Sequence, residues 1–263
     1  MQTATAALNG IRTHYCANGS GPAVVFVHGL AQDHRSWQRQ QEAFTDHRTY
    51  AYDVRGHGAT ALGAADGTLE QLRDDLLAFL AEVSGPAVCV GFSLGGTVVL
   101  SAAAQRPDLV TGAVVLGTSS VVGRRAAEIN LQRAEQAADR PALLESLRED
   151  TRAMTYDSTV DVDELVAYRA STIGDGAGYA NALTAMAGIR DNPLTPALAA
   201  IECPVTVIGA EHDAICPRKA ADILLEGLPR ATYLEIPNSG HLMNVDNPEA
   251  VTTALRTALA GAD

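Results

Sequence analysis

Ala87-Val-Cys-Val-Gly-Phe-Ser-Leu-Gly-Gly96 carries the strongest structural signal in this 263-residue chain. Its first four residues form a short apolar run typical of a buried parallel strand, and a helix is predicted directly afterwards, over about residues 95–106. Between the two, residues 91–95 match the pattern G-x-S-x-G. In this setting a strained turn lifts Ser93 above the sheet edge, and glycines two residues away on either side avoid clashes across it. The segment therefore predicts that Ser93 is a nucleophile at the start of a helix, where the dipole favours a developing anion.

Strand-like runs alternate with helical patterns on both sides of this segment. Further buried strands are predicted at residues 24–27, 49–52, 112–116, 205–208 and 232–236. Helices are predicted near residues 37–44, over residues 68–83, near residues 219–225 and from residue 248 onward. Thr68 and Gln71 form a potential capping box, and Asn9-Gly10 predicts a turn in an N-terminal hairpin. Such alternation predicts an α/β fold, with a mostly parallel twisted sheet flanked by helices on both faces.

The alternation stops between residues 119 and 196, where no strand-like run occurs. Two sets of residues there keep helical spacing: Val162, Leu165, Val166, Arg169 and Ile173, and then Tyr179, Leu183, Met186 and Ala187. Most connections between a helix and a strand are short, so we interpret residues 119–196 as an inserted helical cap. The core would then consist of residues 1–118 and 197–263. The alternative is that these helices only cover one face of the sheet.

Composition restricts the possible classes of protein. Apolar residues make up 47% of the chain, which is typical of a globular protein. A formal charge of −12 argues against binding to nucleic acid or to an anionic membrane surface. The four cysteines form no C-x-x-C pair, which favours a reducing, cytoplasmic compartment. Neither a secretory signal nor an apolar run of membrane-spanning length is present, and both absences fit that expectation.

Four more segments resemble one family. They are His28-Gly29 after a strand, Asp53-Val-Arg-Gly-His-Gly58, Gly209-Ala-Glu-His-Asp213 and Ser239-Gly-His241. Together with the serine turn, they resemble the oxyanion, acid and histidine loops of the α/β-hydrolase superfamily, over nearly the whole chain. The resemblance implies the α/β-hydrolase fold and a catalytic triad in the chain order serine, acid, histidine. Here these residues are Ser93, Asp213 and His241.

The chemistry of the three residues supports this assignment. A serine hydroxyl is a poor nucleophile until a base removes its proton, and the base needs a carboxylate to fix its tautomer. His241 follows the last predicted strand, so it lies at the same end of the sheet as Ser93. Asp213 follows the preceding strand. In some members of the family the acid follows an earlier strand, but residues 117–120 contain no carboxylate here.

Several other polar residues receive structural roles. His28 is expected to hold the shape of its loop, His57 to be structural, and Asp53 and Arg55 to form an ion pair below the site. Asp246 is expected to cap the helix that begins at Pro248. The other histidines without a supporting motif are His14, His34 and His47.

The resemblance also implies an oxyanion hole and a substrate pocket. The expected donors are the backbone N–H groups of Leu30 and Leu94, which would stabilise a tetrahedral intermediate. The residues expected to line the pocket are His28, Leu183, Met186 and Leu242. No metal-binding or nucleotide-binding motif is found, so neither a metal nor another cofactor is expected.

These features predict hydrolysis of a small, apolar carboxylic ester or lactone through an acyl-enzyme. The superfamily also includes dehalogenases and epoxide hydrolases with an aspartate nucleophile, and Ser93 argues against both. Hydrolysis of a C–C bond in a ring-cleavage product remains an alternative. A different class, a small-molecule receptor that keeps the hydrolase fold, would be distinguished by tight binding without turnover.

Overall fold

The computed structural model describes residues 1–261 and contains one eight-stranded sheet. The strand order is β1-β2-β4-β3-β5-β6-β7-β8. Strand β2 runs antiparallel to β1 and β4, and all the other neighbours are parallel. The strands are β1 (Gln2–Leu8), β2 (Ile11–Asn18), β3 (Ala23–Val27), β4 (Arg48–Tyr52), β5 (Ala87–Phe92), β6 (Val110–Leu116), β7 (Val205–Ala210) and β8 (Ala231–Ile236).

Helices connect the strands. The α-helices are α1 (Gln38–Ala43), α2 (Leu69–Phe79), α3 (Leu94–Gln105), α4 (Arg124–Gln136), α5 (Arg140–Met154), α6 (Val162–Thr172), α7 (Ala177–Gly188), α8 (Arg218–Gly227), α9 (Met243–Asp246) and α10 (Pro248–Ala260). Short 3₁₀-helices occupy His34–Trp37 and Thr195–Ala200, and a π-helical turn, Leu80–Ser84, extends α2.

Two apolar clusters enclose the sheet, one on each face. The first joins the sheet to α2, α3 and α8, with Leu72, Val98 and Leu224 among its buried side chains. The second joins it to α10 and to the segment before β4, through Trp37 and Leu255. The prediction of a mostly parallel sheet with helices on both faces is confirmed. The apolar run of β5 is covered on both faces, because Cys89 belongs to the first cluster and Val90 to the second.

Two local sequence signals, for the N-terminal hairpin turn and for the start of α2, can be compared with the structure. Asn9 and Gly10 both have positive φ, as a tight hairpin turn requires. The Thr68 hydroxyl accepts the Gln71 N–H at 3.2 Å, as in a capping box. The reciprocal bond is not made, because the Gln71 side chain is hydrogen-bonded to backbone groups of residues 64 and 66 instead.

The chain between β6 and β7 contains α4–α7 and no strand. Helix α4 packs on α7, and α5 packs on α6. These helices form a third buried cluster, which includes Leu147, Val166, Ile173 and Leu183 and reaches the rest of the fold at Ala31. No helix within residues 1–261 has the length and apolar character needed to cross a membrane.

Candidate active site

Ser93 lies in the turn between β5 and α3, with φ +52° and ψ −117°. This left-handed conformation is strained for a residue with a side chain. A Cβ on Gly95 would clash with the Val27 carbonyl oxygen, and one on Gly91 would clash with the Gly95 backbone. The two glycines therefore permit the turn that raises the Ser93 hydroxyl above the carboxyl ends of the strands.

His241 connects Ser93 to Asp213. Its Nε2 lies 3.0 Å from Ser93 Oγ, and its Nδ1 lies 2.8 Å from Asp213 Oδ2. The imidazole is almost completely buried, at 2% exposure. With a proton on Nδ1, donated to the carboxylate, Nε2 is left as an acceptor for the serine hydroxyl. The three residues implied by the resemblance thus form one continuous chain of hydrogen bonds.

Asp213 is fixed by its own loop. Its Oδ1 accepts the N–H groups of Ile215 and Cys216, each at 2.8 Å. Burial raises the pKa of this carboxyl, but the charge and hydrogen bond of His241 and the two amides outweigh burial, so its pKa is lowered overall. The group remains an anion that can hold the imidazole and stabilise its protonated form.

The predicted oxyanion donors lie beside Ser93. Leu94 is the first residue of α3, where an N–H has no acceptor within the helix. The loop after β3 that contains Leu30 approaches the serine turn closely, since a Cβ on Gly29 would touch the Phe92 ring and carbonyl oxygen. Within residues 1–261, no hydrogen-bond acceptor is paired with either the Leu30 or the Leu94 amide.

A cavity of about 410 Å³ adjoins Ser93 and His241. Its walls come from the serine turn, from the loops after β6, β7 and β8, and from α4–α7. Leu183, Met186 and Leu242 border this cavity, where the sequence placed them.

The fourth predicted pocket residue, His28, is not in the wall. It is completely buried, its Nδ1 lies 2.8 Å from the Gly29 carbonyl oxygen, and its Nε2 accepts the Val54 N–H at 2.8 Å. Burial also lowers its pKa, which favours the neutral ring. The prediction of His28 as a pocket residue is therefore wrong, because both of its nitrogens are used to hold the loop.

Sequence reasoning missed three charged residues of the cavity wall. Arg133, Asp150 and Arg169 come from α4, α5 and α6. Arg169 occupies one of the apolar positions of a predicted helix. A charged residue at such a position is unusual, and it was the sequence signal that could have indicated a functional role.

The expected ion pair between Asp53 and Arg55 is also wrong. Arg55 binds Asp75, with Nε at 2.7 Å from its carboxylate. Asp53 instead binds His14 and His34, as well as the Ala59 amide. The two residues do not pair because both Asp53 oxygens accept hydrogen bonds from the histidines and from amides, while Arg55 uses Nε and Nη2 for Asp75.

His14, His34 and Asp53 are the one group within residues 1–261 whose spacing would suit a metal ion. Both Asp53 oxygens already accept hydrogen bonds from the two imidazoles and from backbone amides. These bonds account for the arrangement of the three side chains.

Asp246 does not cap α10, contrary to the prediction. Asn247 does so, accepting the Ala250 N–H at 3.2 Å. The Asp246 carboxylate accepts the N–H groups of Tyr156, Asp157 and Gly240 at 2.8–3.1 Å. It therefore ties the end of the α5 segment to the loop that carries His241.

Comparisons with known proteins agree with this architecture. Residues 24–254 match the sequence model of the Alpha/beta hydrolase family. The chain is 27% identical over 242 residues to 3-oxoadipate enol-lactonase 2 of Acinetobacter baylyi, covering 90% of this chain and 88% of the relative. It is 32% identical over 254 residues to 2-succinyl-6-hydroxy-2,4-cyclohexadiene-1-carboxylate synthase of Escherichia coli O1:K1 / APEC, covering 90% and 94% respectively.

A solved structure, the enol-lactonase from Burkholderia xenovorans LB400, superposes with a TM-score of 0.86 at 26% identity. The match covers 98% of this chain and all of that one. A lactonase and a synthase both lie among the relatives, so the family does not by itself define the reaction. The family match spans most of the sequence, and the chain belongs to the alpha/beta hydrolase family.

Proposed function

We propose that the protein is a serine hydrolase that cleaves a small carboxylic ester or lactone through an acyl-enzyme. The observation that carries the proposal is the continuous hydrogen-bonded chain from Ser93 through His241 to Asp213. Few structural roles require a serine in a strained turn at one end of such a chain and a buried carboxylate at the other.

The reaction would follow from the geometry in two stages. His241 Nε2 takes the Ser93 proton as Oγ attacks the carbonyl carbon, and Asp213 stabilises the imidazolium that forms. The Leu30 and Leu94 amides would donate to the resulting oxyanion. The imidazolium then protonates the leaving oxygen, and the acyl group remains on Ser93. Water, deprotonated by His241, releases the acid and restores the serine.

Relatives support a carbonyl substrate. An enol-lactonase is among the similar sequences and also among the similar folds. The cavity of about 410 Å³ is of a size suited to a small ligand. We further propose that residues 119–196 act as a cap that selects the substrate. Replacement of Met186 by Trp should then shift the preferred ester chain length, and an unchanged preference would contradict this role.

Labelling with a fluorophosphonate tests the assignment of the nucleophile directly. The reagent should attach to Ser93, identified by peptide mass mapping, and wild-type protein should hydrolyse p-nitrophenyl acetate. Ser93→Ala should fold normally and lose about 10⁵-fold in turnover. Ser101→Ala is the matched control, since Ser101 is buried on α3, the helix that follows Ser93, and lies outside the cavity wall.

Two outcomes would contradict the proposal. Retention of most activity by purified Ser93→Ala would show that Ser93 is not the nucleophile. Tight binding of esters by wild-type protein, without either labelling or multiple turnover, would instead favour a receptor.

A further inference from the structure

Arg169 is a fully buried cation with an incompletely used guanidinium group. It lies on α6 and is only 1% exposed. Its Nη1 donates to Thr151 Oγ1 at 2.7 Å and to the Leu147 carbonyl oxygen at 3.5 Å. Its Nε is buried without any hydrogen-bond partner, and within residues 1–261 no acceptor is paired with Nη2 either. One whole edge of the guanidinium, Nε with Nη2, is therefore unused.

This edge is the one that arginine uses to bind a carboxylate through two parallel hydrogen bonds. The chain itself provides three examples of aspartates bound through Nε and Nη2: Asp33 by Arg35, Asp75 by Arg55 and Asp108 by Arg106. In Arg169 the same two atoms have no carboxylate, although this arginine is more deeply buried than the other three. Burying a charge without a partner costs free energy, so the unused edge of Arg169 favours the binding of an anionic ligand.

The charges around the cavity do not balance. Arg133 and Arg169 supply two positive charges, and Asp150, which is hydrogen-bonded to Arg133, supplies the single negative charge. Burial raises the pKa of the Asp150 carboxyl even though both arginines oppose this shift. Whether or not Asp150 is ionised, the wall has an excess of positive charge. When Asp150 is ionised, it also disfavours a dianionic ligand, because the second negative charge would be repelled.

A further unused donor lies in the same wall. Tyr179 is 2% exposed, and its hydroxyl has no hydrogen-bond partner within residues 1–261. Arg169, Tyr179 and Ser93 all border one cavity, with the first two on the helices between β6 and β7 and the third on the turn after β5. A ligand that reaches from the nucleophile to α6 would therefore meet unsatisfied donors there.

We propose that the substrate carries a carboxylate, which binds to the Nε and Nη2 atoms of Arg169 while its ester or lactone carbonyl faces Ser93. The substrate class is then a half-ester of a dicarboxylic acid, or a lactone with a carboxylate side chain. This inference rests on the proposed hydrolase function and replaces the purely apolar substrate expected from sequence. A single carboxylate matches both the planar guanidinium edge and the excess charge of the wall.

The position of Arg169 allows one competing arrangement. Arg169 and Leu242 also border a second cavity of about 280 Å³ that does not include Ser93. A carboxylate bound from that side would leave hydrolysis independent of substrate charge. Kinetics on a matched pair of esters therefore distinguishes the two arrangements.

The test compares monomethyl glutarate with dimethyl glutarate, which share the same scissile methyl ester and differ in charge at the far end. Wild-type protein should hydrolyse the half-ester with the higher kcat/KM, mainly through a lower KM. In Arg169→Gln this preference should fall by about 10- to 100-fold. Arg169→Lys keeps the positive charge but loses the paired donors of the guanidinium, so it should retain more of the preference than Arg169→Gln and less than wild type. Arg148→Gln, which removes a partly exposed arginine of α5 paired with Asp163, should keep the wild-type preference.

A binding measurement separates this inference from the proposed function. Monomethyl glutarate should bind in calorimetry to the Ser93→Ala protein, which lacks the proposed nucleophile. The further change Arg169→Gln should weaken this binding at least tenfold, and Arg169→Lys should weaken it less. If wild-type protein hydrolyses both esters equally well, or if Arg169→Lys and Arg169→Gln keep the preference, the carboxylate site is wrong and the hydrolase function stands. If neither ester is hydrolysed but binding of monomethyl glutarate depends on Arg169, the hydrolase function fails and the anion site stands.

Discussion

Two buried aspartates in this fold each bind histidine, and they do so in different settings. Asp213 binds one imidazole, that of His241, and uses its other oxygen for backbone amides. Asp53 binds two imidazoles, those of His14 and His34, and also accepts the N–H groups of His34 and Ala59. In both cases the pKa of the carboxyl is lowered overall, because hydrogen bonds to the anion outweigh burial.

The two histidine–aspartate groups differ in what the histidine contacts apart from the aspartate. The second ring nitrogen of His241 lies within hydrogen-bond distance of the Ser93 hydroxyl. That hydroxyl is in a strained turn, beside the amides of Leu30 and Leu94, which are unpaired within residues 1–261. His14 and His34 face each other, with ring centroids 4.9 Å apart, and neither lines the cavity that adjoins Ser93. A histidine–aspartate pair is therefore not a catalytic signature by itself. The residue at the far ring nitrogen decides whether the pair can do chemistry.

The largest expected effect is on catalysis, from Asp213→Asn. An amide in place of the carboxylate favours the wrong imidazole tautomer, so kcat should fall on the order of 10⁴-fold while the fold is kept. Steady-state kinetics with circular dichroism checks this. An equal loss of kcat in folded Asp53→Asn would show that the two pairs do not differ as described.

A smaller effect, on stability, is expected from Asp53→Asn. The amide cannot accept all four hydrogen bonds that the carboxylate accepts, so buried donors lose their partner. The free energy of unfolding should fall by about 2–4 kcal/mol, measured by urea denaturation. The kcat of the folded fraction should remain close to that of wild type, because Asp53 touches neither Ser93 nor His241. An unchanged stability would contradict the structural role.

The smallest expected effect concerns pH and the pair His34–Asp53. Burial lowers the pKa of His34, but the hydrogen bond and charge of Asp53 outweigh it, so the pKa is raised overall. A raised folded-state pKa gives stability that is fully present below the unfolded value of about 6.5 and is lost as pH rises through the folded value. The lowered pKa of Asp53 acts in the opposite direction, and its contribution is lost below about pH 4.

The difference in unfolding free energy between wild type and His34→Gln should therefore be greatest between about pH 4 and 6.5. It should shrink as the pH rises above about 6.5, because the stabilising protonated form of His34 is then lost. His212→Gln, at a half-exposed histidine, serves as the control across the same range. A difference that grows with pH would show that the sign of the His34 shift is wrong.

Sequence could predict the sheet and the position of Ser93, because both depend on local patterns. Apolar β-branched runs specify strands, and glycines around the serine specify the turn. Loops that follow parallel strands meet at one sheet edge, so contact between Ser93, Asp213 and His241 is geometrically possible, and the resemblance to α/β-hydrolases selects these three residues. Such inferences require no knowledge of how distant side chains pack.

The partners of the buried polar residues could not be predicted in this way. Asp53 finds His14 and His34 through strand pairing and loop packing, and Arg55 finds Asp75 on α2. Nothing in the local pattern distinguishes these partners from nearer ones. Arg169 was visible as a charge among apolar positions, but its open edge depends on three other helices packed around it.

The hydrogen bonds of Asp246 have a consequence for motion. Its carboxylate joins the amides of Tyr156 and Asp157 to that of Gly240, and the Leu242 N–H donates to the Met154 carbonyl oxygen at 2.9 Å. The end of α5 and the histidine loop are thus fastened to each other, and α5 cannot lift at this point without displacing His241. Amide hydrogens on both segments should therefore exchange with solvent together, in one cooperative opening.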